Sequence, residues 1–366
     1  MQKKFLLPSF TLITSLLHAE CCDDPCRPPV ESCVDCAQLW PSKGPNWIVT
    51  PNAGPCVRDG ADIFVTGEFL YWTVREDHLG FALRSGLSST STGTATTIHR
   101  GTILHPNWKF SPGFKVGLGM LFDHDGWDIY ANYTWLRPRD IEKEVTISSD
   151  EGASDLLIDY LWGVGVNFVG TAYHTAKTHW NLNFNVIDLE LGRNFFVSRY
   201  LQMRPYFGLK GTWQEQENHL LFDASLSETR MIRMCENRMR NWGVGILAGL
   251  DTAWHFTKSF SFVAEVAASA LWEGFEVHRR DVDIQLFPIS FPFFKNNFHT
   301  IKPVLEFYLG LRWEMWYCCE NYHLSLEAGW EEQHWSDQNQ FAQFAVESRQ
   351  GDLCLQGFTL KARFDF

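Results

Sequence analysis

From Ile63 onward the chain alternates apolar and polar residues. In 357–366, Phe358, Leu360, Ala362, Phe364 and Phe366 share one face, while Thr359, Lys361, Arg363 and Asp365 share the other. A period of two sends successive side chains to opposite sides of a strand. The pattern recurs in nine further stretches: 63–71, 112–122, 127–135, 180–192, 201–213, 242–256, 260–272, 303–317 and 322–330. In 180–192 the apolar positions change from even to odd near Ile187, which predicts a bulge. Hairpins of 141–147 with 156–169, and of 80–83 with 96–104, would add to these ten, so the expected range is ten to about sixteen strands. Asp125-Gly126 marks a tight hairpin turn. Connections alternate between short (123–125, 196–200, 257–259, 318–321) and long (76–111, 138–179, 214–241, 275–302, 331–352). Short turns on one side and long loops on the other, with one apolar face per strand, predict an all-β protein: a transmembrane antiparallel β-barrel.

Composition sharpens this expectation. Aromatics make up 15% of the chain, with 29 Phe and 16 Trp, as expected where aromatic girdles mark two lipid–water interfaces. Mean hydropathy is slightly negative, and beyond the N-terminus no uncharged apolar run reaches about 18 residues, which excludes helical spans. A net charge of −12 argues against nucleic acid as a partner.

The first residues have another character. Lys3, Lys4, an apolar stretch and Leu17-His18-Ala19 predict a secretory signal peptide over 1–19. Residues 20–62 are rich in proline and hold Cys21, Cys22, Cys26, Cys33, Cys36 and Cys56. With no period of two or 3.6, this reads as a cysteine-rich N-terminal periplasmic segment, and in an exported chain these six are disulfide candidates. The barrel is assigned to 63–366. Cys33-Val-Asp-Cys36 has zinc or redox spacing, but no matching second pair follows, so no metal site is expected.

Several segments in order carry a resemblance: P-G-F-K-V-G-L-G-M (112–120), H-D-G-W-D-I-Y (124–130), N-V-I-D-L-E-L-G-R-N-F-F-V-S (185–198), R-P-Y-F-G-L-K-G-T-W (204–213), Y-H-L-S-L-E-A-G-W-E (322–331) and L-Q-G-F-T-L-K-A-R-F-D-F (355–366), with F-L-Y-W-T-V-R-E-D-H-L (69–79) before them. Together they resemble the Legionella-type major outer membrane protein family, pore-forming barrels also found in chlamydia-related bacteria. The resemblance implies a general porin for small hydrophilic solutes. The cysteine-rich leader departs from it and is similar to the disulfide-dependent envelopes of chlamydia-like bacteria.

Strand phase alone nominates pore-lining candidates: Lys115, Asp128, Arg204, Lys210, Asp251, Glu265, Glu306, Arg312, Glu314, Glu327, Lys361 and Arg363. With both signs present, modest selectivity is expected. Phe358, Leu360, Phe364 and Phe366 look like the C-terminal signal that outer-membrane barrels present for insertion. Arg230, Arg233, Arg238 and Arg240 fall in a predicted loop and read as a solvated run, with a constriction folded into the pore as the alternative. No catalytic constellation or cofactor motif stands out; Gly163-Val-Gly165 and Gly243-Val-Gly245 lack the helix a nucleotide fingerprint needs. The expectation is a non-enzymatic porin in the outer membrane of a bacterial cell, both termini periplasmic. A disulfide-cross-linked structural envelope protein and a surface adhesin are the alternatives. Expected partners are outer-membrane lipid, the barrel assembly machinery, and envelope proteins or further copies of the chain.

Overall fold

The computed structural model describes residues 54–55, 57, 60, 62–89, 96–122, 126–147, 155–158, 172–226, 229–284, 289–290, 294–318, 320–342 and 350–366. The expected signal peptide, all six candidate disulfide cysteines and Gly163-Val-Gly165 lie outside the described residues.

The described strands are β1 (Ile63–Glu76), β2 (Ala82–Ser89), β3 (Thr96–Leu104), β4 (Phe110–Leu121), β5 (Trp127–Leu136), β6 (Ile141–Thr146), β7 (Asp155–Ile158), β8 (Ala172–Tyr173), β9 (Thr175–Arg193), β10 (Phe195–Phe196), β11 (Leu201–Leu226), β12 (Thr229–His255), β13 (Phe260–Ile284), β14 (Ile289–Ser290), β15 (Phe294–Tyr317), β16 (Tyr322–Asn339) and β17 (Gly351–Asp365). Ten of them close a ring in the order β1-β4-β5-β9-β11-β12-β13-β15-β16-β17, all antiparallel, and β17 returns to β1. The closing seam runs from Phe64 opposite Asp365 to Glu76 opposite Leu353. Closure leaves no strand edge, the condition for spanning lipid with sheet.

The ten ring strands are the ten that alternation marks out. The two extra hairpins do not join the wall. β2 and β3 pair in a separate four-stranded sheet with β7 and β8. β6 instead lies on β9 beyond the end of β5, Ile141 opposite Trp180. The barrel therefore has ten strands, the lower end of the expected range.

The outer face carries an apolar band between two rows of aromatics. On β12 it runs from Trp254 through Ile246 and Val244 to Trp242, and on β13 from Phe260 through Val266 to Trp272. Ile246 is 69% exposed. One row holds Tyr200, Trp254, Phe260, Tyr322 and Phe364; the other holds Tyr71, Trp213, Trp242, Trp272, Trp330 and Phe358. Apolar exposure this extensive is what a lipid-facing wall presents. Phe358, Leu360 and Phe364 belong to it, and Phe366 closes the strand by pairing its backbone with Ile63. The short connections and Phe366 share one end, called here the turn end; the opposite end is the loop end. At the turn end Gly126, at φ 69°, closes the β4–β5 hairpin in the left-handed conformation that glycine favours.

Two expectations change. First, 214–241 is not a loop. β11 and β12 stay paired from Leu201–Trp254 to Leu226–Thr229, well past the Trp213–Trp242 girdle pair. Outside lipid, their inward residues become amide and apolar, Arg233 excepted, and their outward residues mostly charged, so the pattern persists with its chemistry inverted. The strands β13, β15 and β16 likewise run on to Ile284, from Phe294 and to Asn339. Second, β9 has no bulge: its register with β5 and β11 is continuous across Ile187. Trp180, Leu182, Phe184 and Val186 point inward, as do Asp188 and Glu190 on the same phase. The apparent slip arises because the interior itself changes from apolar to charged along this strand.

Candidate functional site: the barrel interior

Three layers fill the bore. The middle one holds the twelve nominated charges, and all of them face inward. Arg204 donates to Asp128 on β5 (2.6 Å), Glu190 on β9 (2.9 Å) and Asp251 on β12 (2.9 Å). Lys210 pairs with Asp188 (2.7 Å) and Glu306 (2.9 Å). Arg312 pairs with Glu327 (2.7 Å) and, more distantly, Glu314 (3.5 Å). Lys115 pairs with Glu331, and Lys361 with Glu68 (3.5 Å). Arg363 reaches Asp365 (2.6 Å), which also meets His323. Glu265 accepts from the Tyr206 hydroxyl (3.0 Å).

The backbone positions these pairs. Glu68 lies opposite Lys361, Lys361 opposite Glu327, and Glu327 opposite Arg312, a ladder of alternating sign across β1, β17, β16 and β15. Gly249 leaves room for the Tyr206 ring; a Cβ there would come within 2.3 Å of it.

Asp188, Glu190 and Glu331 join this layer without having been nominated. The first two were hidden by the false phase slip, and Glu331 by reading 331 as the start of a loop. Their signal is the Asp188/Glu190 alternation against Ile187, Leu189 and Leu191. With them, and with Glu68 and Asp365, eleven carboxylates face six lysines and arginines, so the layer is acidic.

Below the layer, toward the turn end, a cavity of about 690 Å³ opens between the barrel walls. Arg204, Lys361, Arg363 and Glu327 line its floor, Tyr200, His255 and Lys258 its rim, and Gly54 and Pro55 lie at its side.

Above the layer, toward the loop end, the bore is packed. Trp72 and Val74 (β1), Trp180 and Phe184 (β9), Leu220 and Phe222 (β11), Met239 (β12), Phe275 (β13), Trp335 (β16) and Leu355 (β17) form one buried cluster. Leu79, Phe81 and Phe341, from connections rather than wall strands, are inserted among them. Ten strands leave a bore that side chains can largely fill.

The predicted arginine run divides by alternation. Arg238 and Arg240 point outward and share Glu215, whose carboxyl they hold below its usual range, while Arg233 is buried inside. The side chain of Arg230 lies outside the described residues. Among the described residues no cluster of His, Cys, Asp or Glu is arranged to hold a metal ion.

The plug contains Glu76, five residues beyond the girdle residue Tyr71. Burial pushes its carboxyl up to about 8, with Gln216 and Trp180 beside it and Asp77 adding repulsion. A carboxyl raised in the folded state favours folding fully below its unfolded pKa, and that contribution is lost as pH rises through the folded value. Barrel stability is therefore expected to fall from about pH 4.5 to about 8 by a few kcal/mol. Glu76→Gln should flatten this slope in heat-modifiable gel mobility read across that range. An unchanged slope would show that Glu76 is not buried as described.

A family model described as Legionella pneumophila major outer membrane protein precursor matches residues 53–366. The chain belongs to this family. As a member of the Legionella major outer membrane protein family with a closed barrel, it is an outer-membrane protein. No curated protein matches the sequence. Among solved structures, the outer membrane protease OmpT of Escherichia coli aligns at 11% identity over 83% of this chain and 96% of that one, with a TM-score of 0.40. The Pseudomonas putida toluene transporter TodX aligns at 8% identity over 87% and 92%, TM-score 0.27. A Pseudomonas aeruginosa FadL homologue aligns at 9% over 83% and 90%, TM-score 0.24.

Proposed function

We propose that this chain is a narrow, gated outer-membrane pore for small hydrophilic solutes and ions, with no catalytic step. The observation that carries the reading is the charged cavity of about 690 Å³, open at the turn end and reaching the middle of the barrel. A wall of charged side chains beside water is how pores discriminate among ions. The acidic excess favours cations, and family membership supports pore formation. The turn end is read as periplasmic, since outer-membrane barrels keep their short turns there. The plug is the gate in this reading, because Leu79, Phe81 and Phe341 enter it from connecting segments.

A second reading has its own support. The packed loop end and the paired charges suit a structural envelope barrel that passes nothing. Efflux from liposomes separates the two. Refolded protein should release entrapped potassium and small zwitterions slowly and retain disaccharides. Liposomes as tight as protein-free controls to every solute would favour the structural role.

A further inference from the structure

The plug is two-sided, and its second side is polar. On β11 the inward positions after Lys210 are Thr212, Gln214, Gln216 and Asn218, every one buried. The neighbouring strands add Asn241 on β12 and Glu273 on β13. Gln338, arriving from β16, donates to Gln214 (3.2 Å) and Glu273 (3.3 Å), and Asn241 donates to Glu273 (2.9 Å). Gln214 donates back to Thr212 (3.1 Å), one step above the charged layer. At the other end Thr178 donates to Asn218 (3.1 Å). Across the bore stand Trp72, Val74, Trp335 and Leu355.

This seam is only partly satisfied from within the protein. The Gln216 amide and Trp180 indole face the Glu76 carboxyl, but Gln216 Oε1, Asn218 Nδ2, Asn241 Oδ1, Glu273 Oε1 and Gln338 Oε1 are buried with no hydrogen-bond partner. Each of these residues is at most 4% exposed. A buried polar atom without a partner costs about 1–3 kcal/mol. So many along one line in a dry core would outweigh what the apolar side contributes. Internal water satisfies such groups where each site offers two or more polar neighbours. The seam offers them continuously from Thr212 to Asn218.

We propose that this amide-and-carboxyl seam along β11, β12 and β13 is a hydrated path that admits water and small cations into the plug. Glu76 and Glu273 place carboxyl oxygens on it, which can meet a cation but not an anion. The inference rests on the pore reading for transport but not for hydration, and the test separates the two.

Gln216→Cys and Asn218→Cys are compared with Val74→Cys and Leu355→Cys on the apolar side. Each refolded variant is exposed to a small cationic methanethiosulfonate reagent. Modification is assigned by peptide mass spectrometry, so the native cysteines are read separately. The seam positions should react several-fold faster than the apolar pair. Equally slow reaction at all four would overturn the path. Where a variant fails to give the heat-modifiable folded band, hydroxyl-radical footprinting of the unaltered protein replaces it. Trp180 should then oxidise faster than Trp335, and equal protection of the two would again overturn the path. Fast labelling in protein that never conducts supports the seam and removes the pore reading. Slow labelling in protein that conducts does the reverse.

Discussion

Arg204→Ala is expected to destabilise the barrel by about 3–5 kcal/mol, a large loss for one side chain. Its guanidinium is the shared partner of Asp128, Glu190 and Asp251, which come from three different strands. Removing it leaves three carboxylates facing one another inside the wall. Breaking a buried ion network from one side costs more than the pairs ever contributed, because the remaining charges have lost their compensation. Arg204→Lys should recover only part of the loss, since an ammonium cannot make the two-pronged contact with Asp128. Urea unfolding in detergent, followed by tryptophan fluorescence, would measure both. A midpoint shift within the range of an ordinary surface substitution would mean these charges are solvated individually.

The second large effect concerns the lipid face. Phe307 lies midway along the apolar band of β15, 46% exposed. Phe307→Arg should cost about 2–4 kcal/mol, the penalty for a cation at the bilayer midplane of a barrel. Asn297 lies outward on the same strand, ten residues nearer the loop end and beyond the Trp272 girdle row. Asn297→Arg should be nearly neutral, within about 0.5 kcal/mol, as for other surface positions. Refolding yields into lipid vesicles across a urea series give both values. Equal costs at the two positions would displace the band from where the aromatic rows put it.

Much of the wall was legible before any coordinates. Lipid imposes a single rule on outward residues, so Phe262, Leu309 and Leu360 announce their side without help from neighbours. The ten strands follow from that rule. The interior obeys no such rule. Trp180, Leu182, Phe184 and Val186 point inward into a plug, while Asp188 and Glu190 point inward into the charged layer. Alternation reads that change as a shift of register. The long hairpin of β11 and β12 was missed for a related reason: beyond lipid, Glu215 and Arg238 face outward while Leu220 and Phe222 face inward. Period alone does not say which side is wet. Pairing was the other missing part. Lys115 could be placed on the inner face from sequence, but its partner Glu331 lies 216 residues away and meets it only through closure of the ring.

Whether the bore conducts, and how, decides the function. Single-channel recording of refolded protein in a planar bilayer, under a potassium chloride gradient, tests this most directly. The predicted result is small, intermittent steps whose reversal potential lies toward that of potassium, reflecting an acidic layer and a plug that opens only part of the time. Large, permanently open and non-selective steps would contradict the plug. Complete silence from correctly folded protein would contradict the pore.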